Sequence, residues 1–414
     1  MVSPCNTLTK LVFVPSSAYL AEPIYNTLKE GSDIKKEFLV YCKLPEINKQ
    51  NKNRQHSNFM INLDDLEVMN NYFSFPIFKK ALTFFRFVLD LRKYKKRIYA
   101  WLDQENPDAI LTTAETISTL ICLEWARNKK KLGIVIQPSF ISIDEFQKRK
   151  LKYDIQNLIF IFLSGCRINS NNKLFGTSFT ENYVFYFSKS LDIYYEKIKH
   201  SRRSLIPNLQ FQNYYNFFKS FNKHHFEFGN ILLCVQNYEK LPNLVSRSDA
   251  KDINKVYIDI IKAFPEIHFI VKIHPRQIED EIFYQSHFLD NELNNFEFVI
   301  HEPLINLFRK SYLHISSGSF TILEAILCGI PSINIRPSVI SLGIYLRGKV
   351  EHNVNTADEA INMIRQTMED SNYKEFLVRR KKFINDSFHD LEENIPGYVL
   401  DTINNLIIEK KYGN

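Results

Sequence analysis

A chain of 414 residues has room for two domains, each with its own core, and its 45% hydrophobic and 24% charged residues are those of an ordinary folded protein. A formal net charge of +7 is too mild to call for nucleic acid, though it suits an anionic ligand or an acidic membrane surface. The six cysteines, at 5, 42, 122, 166, 234 and 328, lack any C-x-x-C pair, which argues against a disulfide framework or a zinc knuckle and for a reducing compartment.

No apolar run approaches the ~18 residues of a membrane helix. The N-terminal "KLVFVPSSAYLA" has too short an apolar core for a signal peptide and reads as a first strand. These features predict a cytoplasmic protein. In chain order there follow a helix over about 18–30, the strand "EFLVYC", a polar loop over 43–58, and a long amphipathic helix over about 79–104. Next come the strand "DAILTT", the helix "ETISTLICLEWARN", the strand "GIVIQP", a helical stretch around 143–163, and the strand "YVFYFS". Strands alternating with helices across short links predict a parallel sheet covered on both faces. Basic, Asn-rich and aromatic sequence over 201–229 interrupts the pattern and reads as a linker between a first domain, 1–200, and a second, 230–390.

The alternation restarts with "NILLCVQ", a helix over about 250–264, "IHFIVKI", "FEFVI", the short helix "LINLFRKS", "YLHIS", the helix "FTILEAILC" and "PSINI". Three helical segments follow from about 356, the last of them, within 391–414, expected to pack back on the first domain. The predicted class is α/β, with two doubly wound Rossmann-like domains facing across a crevice. Ligands of such sheets sit outside the carboxyl ends of the strands, so residues just past each strand are the candidates.

Two stretches stand out. In "VKIHPRQ" the strand delivers His274 to its carboxyl end, Pro275 stops the ladder and Arg276 follows. The imidazole can donate to a phosphate oxygen and the guanidinium can help neutralise it. The plain alternative is a strand-ending turn with a solvated His. In "SSGSFTILEAILCGIP" the strand hands Ser316, Ser317, Gly318 and Ser319 directly to a helix start, where hydroxyls and bare amides suit an anion and Gly318 admits close approach. Glu324, one turn on, can accept from vicinal hydroxyls such as those of a ribose. Alternatively it forms a capping box with Thr321, and the serines are simple caps.

As a set, these residues resemble the nucleotide-binding domain of GT-B glycosyltransferases and of the related UDP-N-acetylglucosamine 2-epimerases. The His-Pro and Ser-Ser pairs are also similar to the CMP-binding motifs of GT-B sialyl- and polysialyltransferases. In the first half, "DAILTTAETISTLICLEWARN" resembles an epimerase segment, with Glu115 at its acidic position and Ser118-Thr119 at its S-T pair. Two departures count against epimerisation: Gln137 stands where the epimerases have an acid, and "NYEKLP" replaces their H-R-R-E-N. The acidic-acidic-Gly motif of the sialyltransferases is absent too.

The resemblance therefore implies a GT-B-like fold and transfer of a sugar or sugar acid from a CMP- or UDP-linked donor to a glycan or polyprenyl-linked acceptor in bacterial surface-polysaccharide (capsule) assembly. It implies no metal and no cofactor, since no D-x-D is present. His274, Pro275, Arg276, Ser316, Ser317, Gly318, Ser319 and Glu324 would hold the donor. A general base would come from Glu115, or from Glu22 in the first strand-to-helix loop. A nucleotide-sugar epimerase and a non-catalytic nucleotide-sugar or glycan-binding protein are the alternatives. Basic runs such as "RFVLDLRKYKKR" and "QKRKLK" read as solvated helix faces, or as faces toward the anionic inner side of the cell membrane, a polyprenyl-linked acceptor or an acidic polysaccharide.

Overall fold

The structure is a computed structural model that describes residues 8–15, 18–35, 38–42, 77–113, 115–137, 151–167, 176–197, 199–200, 202–209, 211–220, 229–240, 245–274, 281–336, 350–367, 369–389 and 394–412. The chain divides into two compact units, residues 1–210 with 392–414, and residues 211–391.

The first unit alternates strand and helix: β1 (Thr9–Val14), α1 (Ala18–Lys35), β2 (Phe38–Cys42), α2 (Ile77–Glu105), β3 (Ala109–Thr112), α3 (Ile117–Asn128), β4 (Leu132–Ile136), α4 (Leu151–Ser164), β5 (Tyr183–Tyr186), α5 (Asp192–Lys197) and β6 (Arg203–Leu205). Its sheet runs β2-β1-β3-β4-β5-β6, and every pairing is parallel. Strands such as "AILT" and "LGIVI" are buried throughout because both faces are covered. On one face Val12, Val14 and Ile110 pack against Leu91, Ile98, Ile121 and Trp125 of α2 and α3.

The second unit contains α6 (Phe211–Ser220), β7 (Asn230–Val235), α7 (Arg247–Ala263), β8 (Phe269–Ile273), α8 (Glu281–Leu289), β9 (Phe296–Val299), α9 (Leu304–Arg309), β10 (Ser311–Ser316), α10 (Thr321–Leu327), β11 (Ser332–Ile335), β12 (His352–Val354), α11 (Ala357–Thr367) and α12 (Asp370–Ser387). Its sheet, β12-β11-β10-β7-β8-β9, is again wholly parallel. Counted from β7 this is the Rossmann order 3-2-1-4-5-6, whose switch point lies between β7 and β10. The period-2 alternation sorts the strand residues cleanly. Ile231, Leu233 and Val235 join the α7 side with Ile253, Tyr257 and Ile261, while Leu232 and Cys234 join the opposite side with Phe217, Phe308 and Ala325.

The final described helix, α13 (Ile395–Tyr412), belongs to the first unit and lies along α1. A Cβ on Gly31 would come within 2.9 Å of both Leu400 and Pro396, so only glycine permits this approach. Lys410 donates to the Lys131 carbonyl at 2.6 Å and Lys411 pairs with Asp108 at 2.9 Å, fixing the end of the helix.

Several sequence expectations need correction. The stretch expected as a linker carries β6 and α6. The strand "RSL" is too short to show alternation, and α6 is held by Phe211 and Phe217, both buried. Strand β12 and helix α8 were not anticipated. Glu22 lies within α1, in its second turn, and not in the loop before it. Residues 143–150 of the helical stretch expected after "GIVIQP" lie outside the described residues.

Candidate functional site

In the second unit, β8 ends at Ile273, so His274 is the first residue past its carboxyl end, partly exposed. Strand β10 ends at Ser316 and leads through Ser317, Gly318 and Ser319 into α10. The register aligns Ser316 with Cys234 and Cys234 with Lys272. Because β7 lies between β10 and β8 in the sheet, the strand ends that lead to Gly318 and to His274 stand on either side of it. Both flank the end of β7, beside the switch point. Pro275 and Arg276 lie outside the described residues.

The turn from 316 to 319 is held from both sides. Ser316 Oγ donates to the Cys234 carbonyl at 2.9 Å, and Tyr238 Oη donates to the Ser317 carbonyl, both from the β7 side. From the β11 side, Ser317 Oγ donates to the Ile335 carbonyl at 2.8 Å and Asn334 Oδ1 accepts from Gly318 N at 3.0 Å. Asn334 is itself steadied by Asn353 at 3.0 Å. Gly318 sits at φ +58, a backbone conformation that favours glycine.

This geometry corrects the roles expected of two serines. Ser316 and Ser317 are buried and their hydroxyl protons are committed to backbone carbonyls, so they build the turn and do not offer donors to a ligand. Ser319 differs, being partly exposed. Thr321 N and Thr321 Oγ1 both donate to Ser319 Oγ, at 3.3 and 3.0 Å, which leaves the serine's own proton to point elsewhere.

Behind it stands His314, which sequence reasoning passed over as a strand residue. Its Nε2 lies 3.1 Å from Thr321 Oγ1 and its Nδ1 lies 3.3 Å from Ser332 Oγ. Because Thr321 donates to Ser319, its oxygen accepts from His314 Nε2–H, and Nδ1 accepts from Ser332. One chain of donors therefore runs from the core through Thr321 to Ser319, each link polarising the next. Complete burial holds the imidazole neutral, its pKa lowered to about 3.

Glu324 is buried one turn further along α10, where its Oε1 accepts from Tyr214 Oη of α6. Burial pushes its pKa up to about 7, against the pull of that hydrogen bond. The T-x-x-E capping box does not form, since α10 starts at Thr321 and Phe320 stands at the cap. Lys272, on β8, donates to the carbonyls of Ile300 and Glu302, the latter at 3.0 Å, and burial lowers its pKa. The signal for Tyr214 and Lys272 was absent from the local sequence, because each acts through a partner far along the chain.

In the first unit Glu115 lies just past β3, at the carboxyl edge. Its Oε1 accepts from Ser178 N at 2.8 Å and its Oε2 from Gly176 N at 3.1 Å. Both oxygens thus hold a turn whose Gly176 has φ +78. Glu115 is therefore an anchor for backbone amides. Thr116 caps α3 in a reciprocal arrangement with Thr119. Gln137 is buried and its Oε1 accepts from Phe187 N at 3.3 Å.

Against solved structures, a Listeria monocytogenes protein assigned as UDP-N-acetylglucosamine 2-epimerase superposes with a TM-score of 0.60 at 10% identity, covering 97% of this chain and 98% of that one. The Neisseria meningitidis UDP-GlcNAc 2-epimerase bound to UDP-GlcNAc gives 0.57 at 12%, covering 96% and 100%. CalG4, the calicheamicin glycosyltransferase, gives 0.52 at 9%, covering 98% and 100%. The fold is GT-B-like. Two Rossmann-like units in a GT-B-like chain account for the two parallel sheets and for the return of α13 to the first unit. The family described as competence protein CoiA, nuclease-like domain, matches residues 92–233, about a third of the chain. That match starts inside α2, ends inside β7 and straddles the two units, so it does not delimit a folded unit here. Comparison with curated proteins gives no match.

Proposed function

We propose that this GT-B-like chain is a glycosyltransferase that moves a sugar or sugar acid from a CMP- or UDP-linked donor to a glycan or lipid-linked acceptor in bacterial surface-polysaccharide assembly. One observation supports the reading: the strands that lead to His274 and to the braced turn at Gly318-Ser319 end on either side of β7, at the Rossmann switch point of the second unit. Loss of the nucleotide builds negative charge on the departing phosphate, and preorganised donors stabilise it without reorganisation. His274 and the Ser319 hydroxyl would supply such donors, the latter backed by Thr321 and His314. UDP-GlcNAc is what the Neisseria relative holds in its crystal structure, which supports a sugar nucleotide as the ligand.

The test is a thermal-shift screen with CMP, UDP, GDP and their sugars. We expect one nucleotide family to raise the melting temperature, and His274→Ala to weaken that ligand by about 10-fold or more, the scale of a lost charge-assisted contact. A flat response to every nucleotide would remove the reading.

An epimerase is the second reading, favoured by the near-complete coverage of UDP-GlcNAc 2-epimerases. The amide at Gln137, bonded to Phe187 N, lacks the ionisable proton that proton shuttling at a sugar carbon needs. Incubation with UDP-GlcNAc separates the two: a second sugar epimer appearing without an acceptor would favour epimerisation.

A lipid-linked acceptor would require a membrane surface. Among the described residues no helix is long and apolar enough to cross a membrane. Helix α4, however, exposes Leu158 at 69% and Phe162 at 87% with Ile159 and Ile161, and α2 exposes Arg92, Lys93, Lys96 and Arg97. Apolar side chains beside cations suit peripheral contact with anionic lipid. Anionic vesicles should carry the protein to the top of a flotation gradient at low salt, less so at high salt, while Leu158→Ser with Phe162→Ser should stay at the bottom.

A further inference from the structure

Between α7 and α8 lies an open groove of about 630 Å³, a volume typical of ligand sites, whose lining shares no residue with the turn described above. One wall is a stripe of α7. Arg247, Lys251 and Lys255 follow at i, i+4 and i+8, so successive cations stand about 6 Å apart along the axis, and Lys262 continues the row. All four are exposed. The acids on the other flank of the helix do not offset them, because Asp249 and Asp252 pair with Arg336 at 3.1 and 2.6 Å.

At the floor, Asn254 is 4% exposed, and neither its Oδ1 nor its Nδ2 has a hydrogen-bond partner among the described residues. Burying an amide with both ends unmet is unfavourable, and a bound polar partner would remove that penalty. The facing wall carries Phe283 stacked on His287, ring centroids 4.8 Å apart, an apolar platform with one polar edge.

We propose that this groove binds an acidic oligosaccharide. The row of cations suits a linear chain with charges set apart by neutral ring atoms. The ring pair suits the C–H face of a pyranose, and the amide can both donate to and accept from its hydroxyls or an acetamido group. Glu239 and Asp259 also line the groove. They would repel the closely spaced phosphates of a nucleic acid, yet they accept hydrogen bonds from sugar hydroxyls. Four cations against two carboxylates thus favour sparse negative charge over dense. This goes beyond the transfer reading: the groove needs no nucleotide and stands if that reading fails.

The test is fluorescence anisotropy of end-labelled hexagalacturonate with the full chain, in the absence of nucleotide. Wild-type protein should bind it in a salt-sensitive manner and should bind maltohexaose far more weakly. Lys251→Ala with Lys255→Ala, both on the solvent side, should weaken binding about 10-fold or more, whereas His274→Ala should leave it unchanged. Three results would overturn the proposal: no binding by wild-type protein, equal binding by the double variant, or displacement by polyphosphate or single-stranded RNA at lower concentration than by unlabelled hexagalacturonate. Since the nucleotide screen reads a different ligand and His274, the two proposals fail separately.

Discussion

Burial acts on Glu324 and His314 in opposite directions as seen by pH, and one short helix, α10, carries the first and receives a hydrogen bond from the second. Glu324 keeps a proton in the fold up to about pH 7 that the unfolded chain releases near 4.5, so its contribution makes stability fall as pH rises through that interval and stay level above it. His314 remains neutral in the fold down to about pH 3 whereas the unfolded chain takes up its proton below 6.5, so its contribution makes stability rise with pH from about 3 to 6.5. Between about 4.5 and 6.5 the two slopes oppose each other. We expect Glu324→Gln to be more stable than wild type at pH 8, by at most roughly 3 kcal/mol, and to differ little below pH 5. Thermal melts of the second unit's transition across pH 5–8.5 check this, and an unchanged difference across the range would refute it. At this same scale the sequence was legible in part. The chain position of His274, past a strand and before a Pro, could be read from seven residues. The fate of the Ser316 and Ser317 protons could not, because their acceptors, Cys234 and Ile335, lie on neighbouring strands and only the sheet order decides which carbonyls are in reach.

At the scale of elements, the turn between α4 and β5 depends on a carboxylate that follows β3, two strands away in the sheet. Gly176 has φ +78, and a Cβ there would meet Val184 Cγ2 at 2.8 Å, so the turn tolerates no side chain and relies on Glu115 to fill its amides. Glu115→Gln keeps one acceptor and opposes an NH₂ to the other amide. We expect it to cost the first unit about 1–3 kcal/mol in denaturant melts while leaving any nucleotide-induced shift in place. Retained stability with lost turnover would return Glu115 to the chemistry. The long apolar strands and the amphipathic α2 announced themselves through burial on both faces and helical period. What stayed hidden were the short pieces. Three-residue strands β6 and β12 are too brief to carry a pattern, and α6, rich in Asn and Tyr, shows its apolar stripe only once Phe217 is known to pack with Phe308 and Ala325.

For the whole molecule, the division at 210/211 and 391/392 makes the second unit an insertion within the first. A fragment spanning 211–391 carries its complete sheet and both of its cores. We expect it to fold alone with a cooperative melt and to keep the nucleotide response of the full chain. A chain ending at 391 should instead show normal melting of the second unit and a lowered, broadened transition for the first, because α1 has lost the helix that Gly31 was shaped to receive. Calorimetry of the two pieces distinguishes these outcomes, and a first-unit transition unaffected by the truncation would rule out α13 as part of its core.

The return of α13 also sets a timetable for biosynthesis. The face of α1 that meets Leu400 and Pro396 emerges from the ribosome some 370 residues before them, roughly 20–70 s earlier at ~5–20 residues per second. During that wait the inserted unit can finish folding while the one that began first still shows a bare, greasy flank. A nascent chain stalled at that stage should therefore be a preferred client of general chaperones until its last helix arrives.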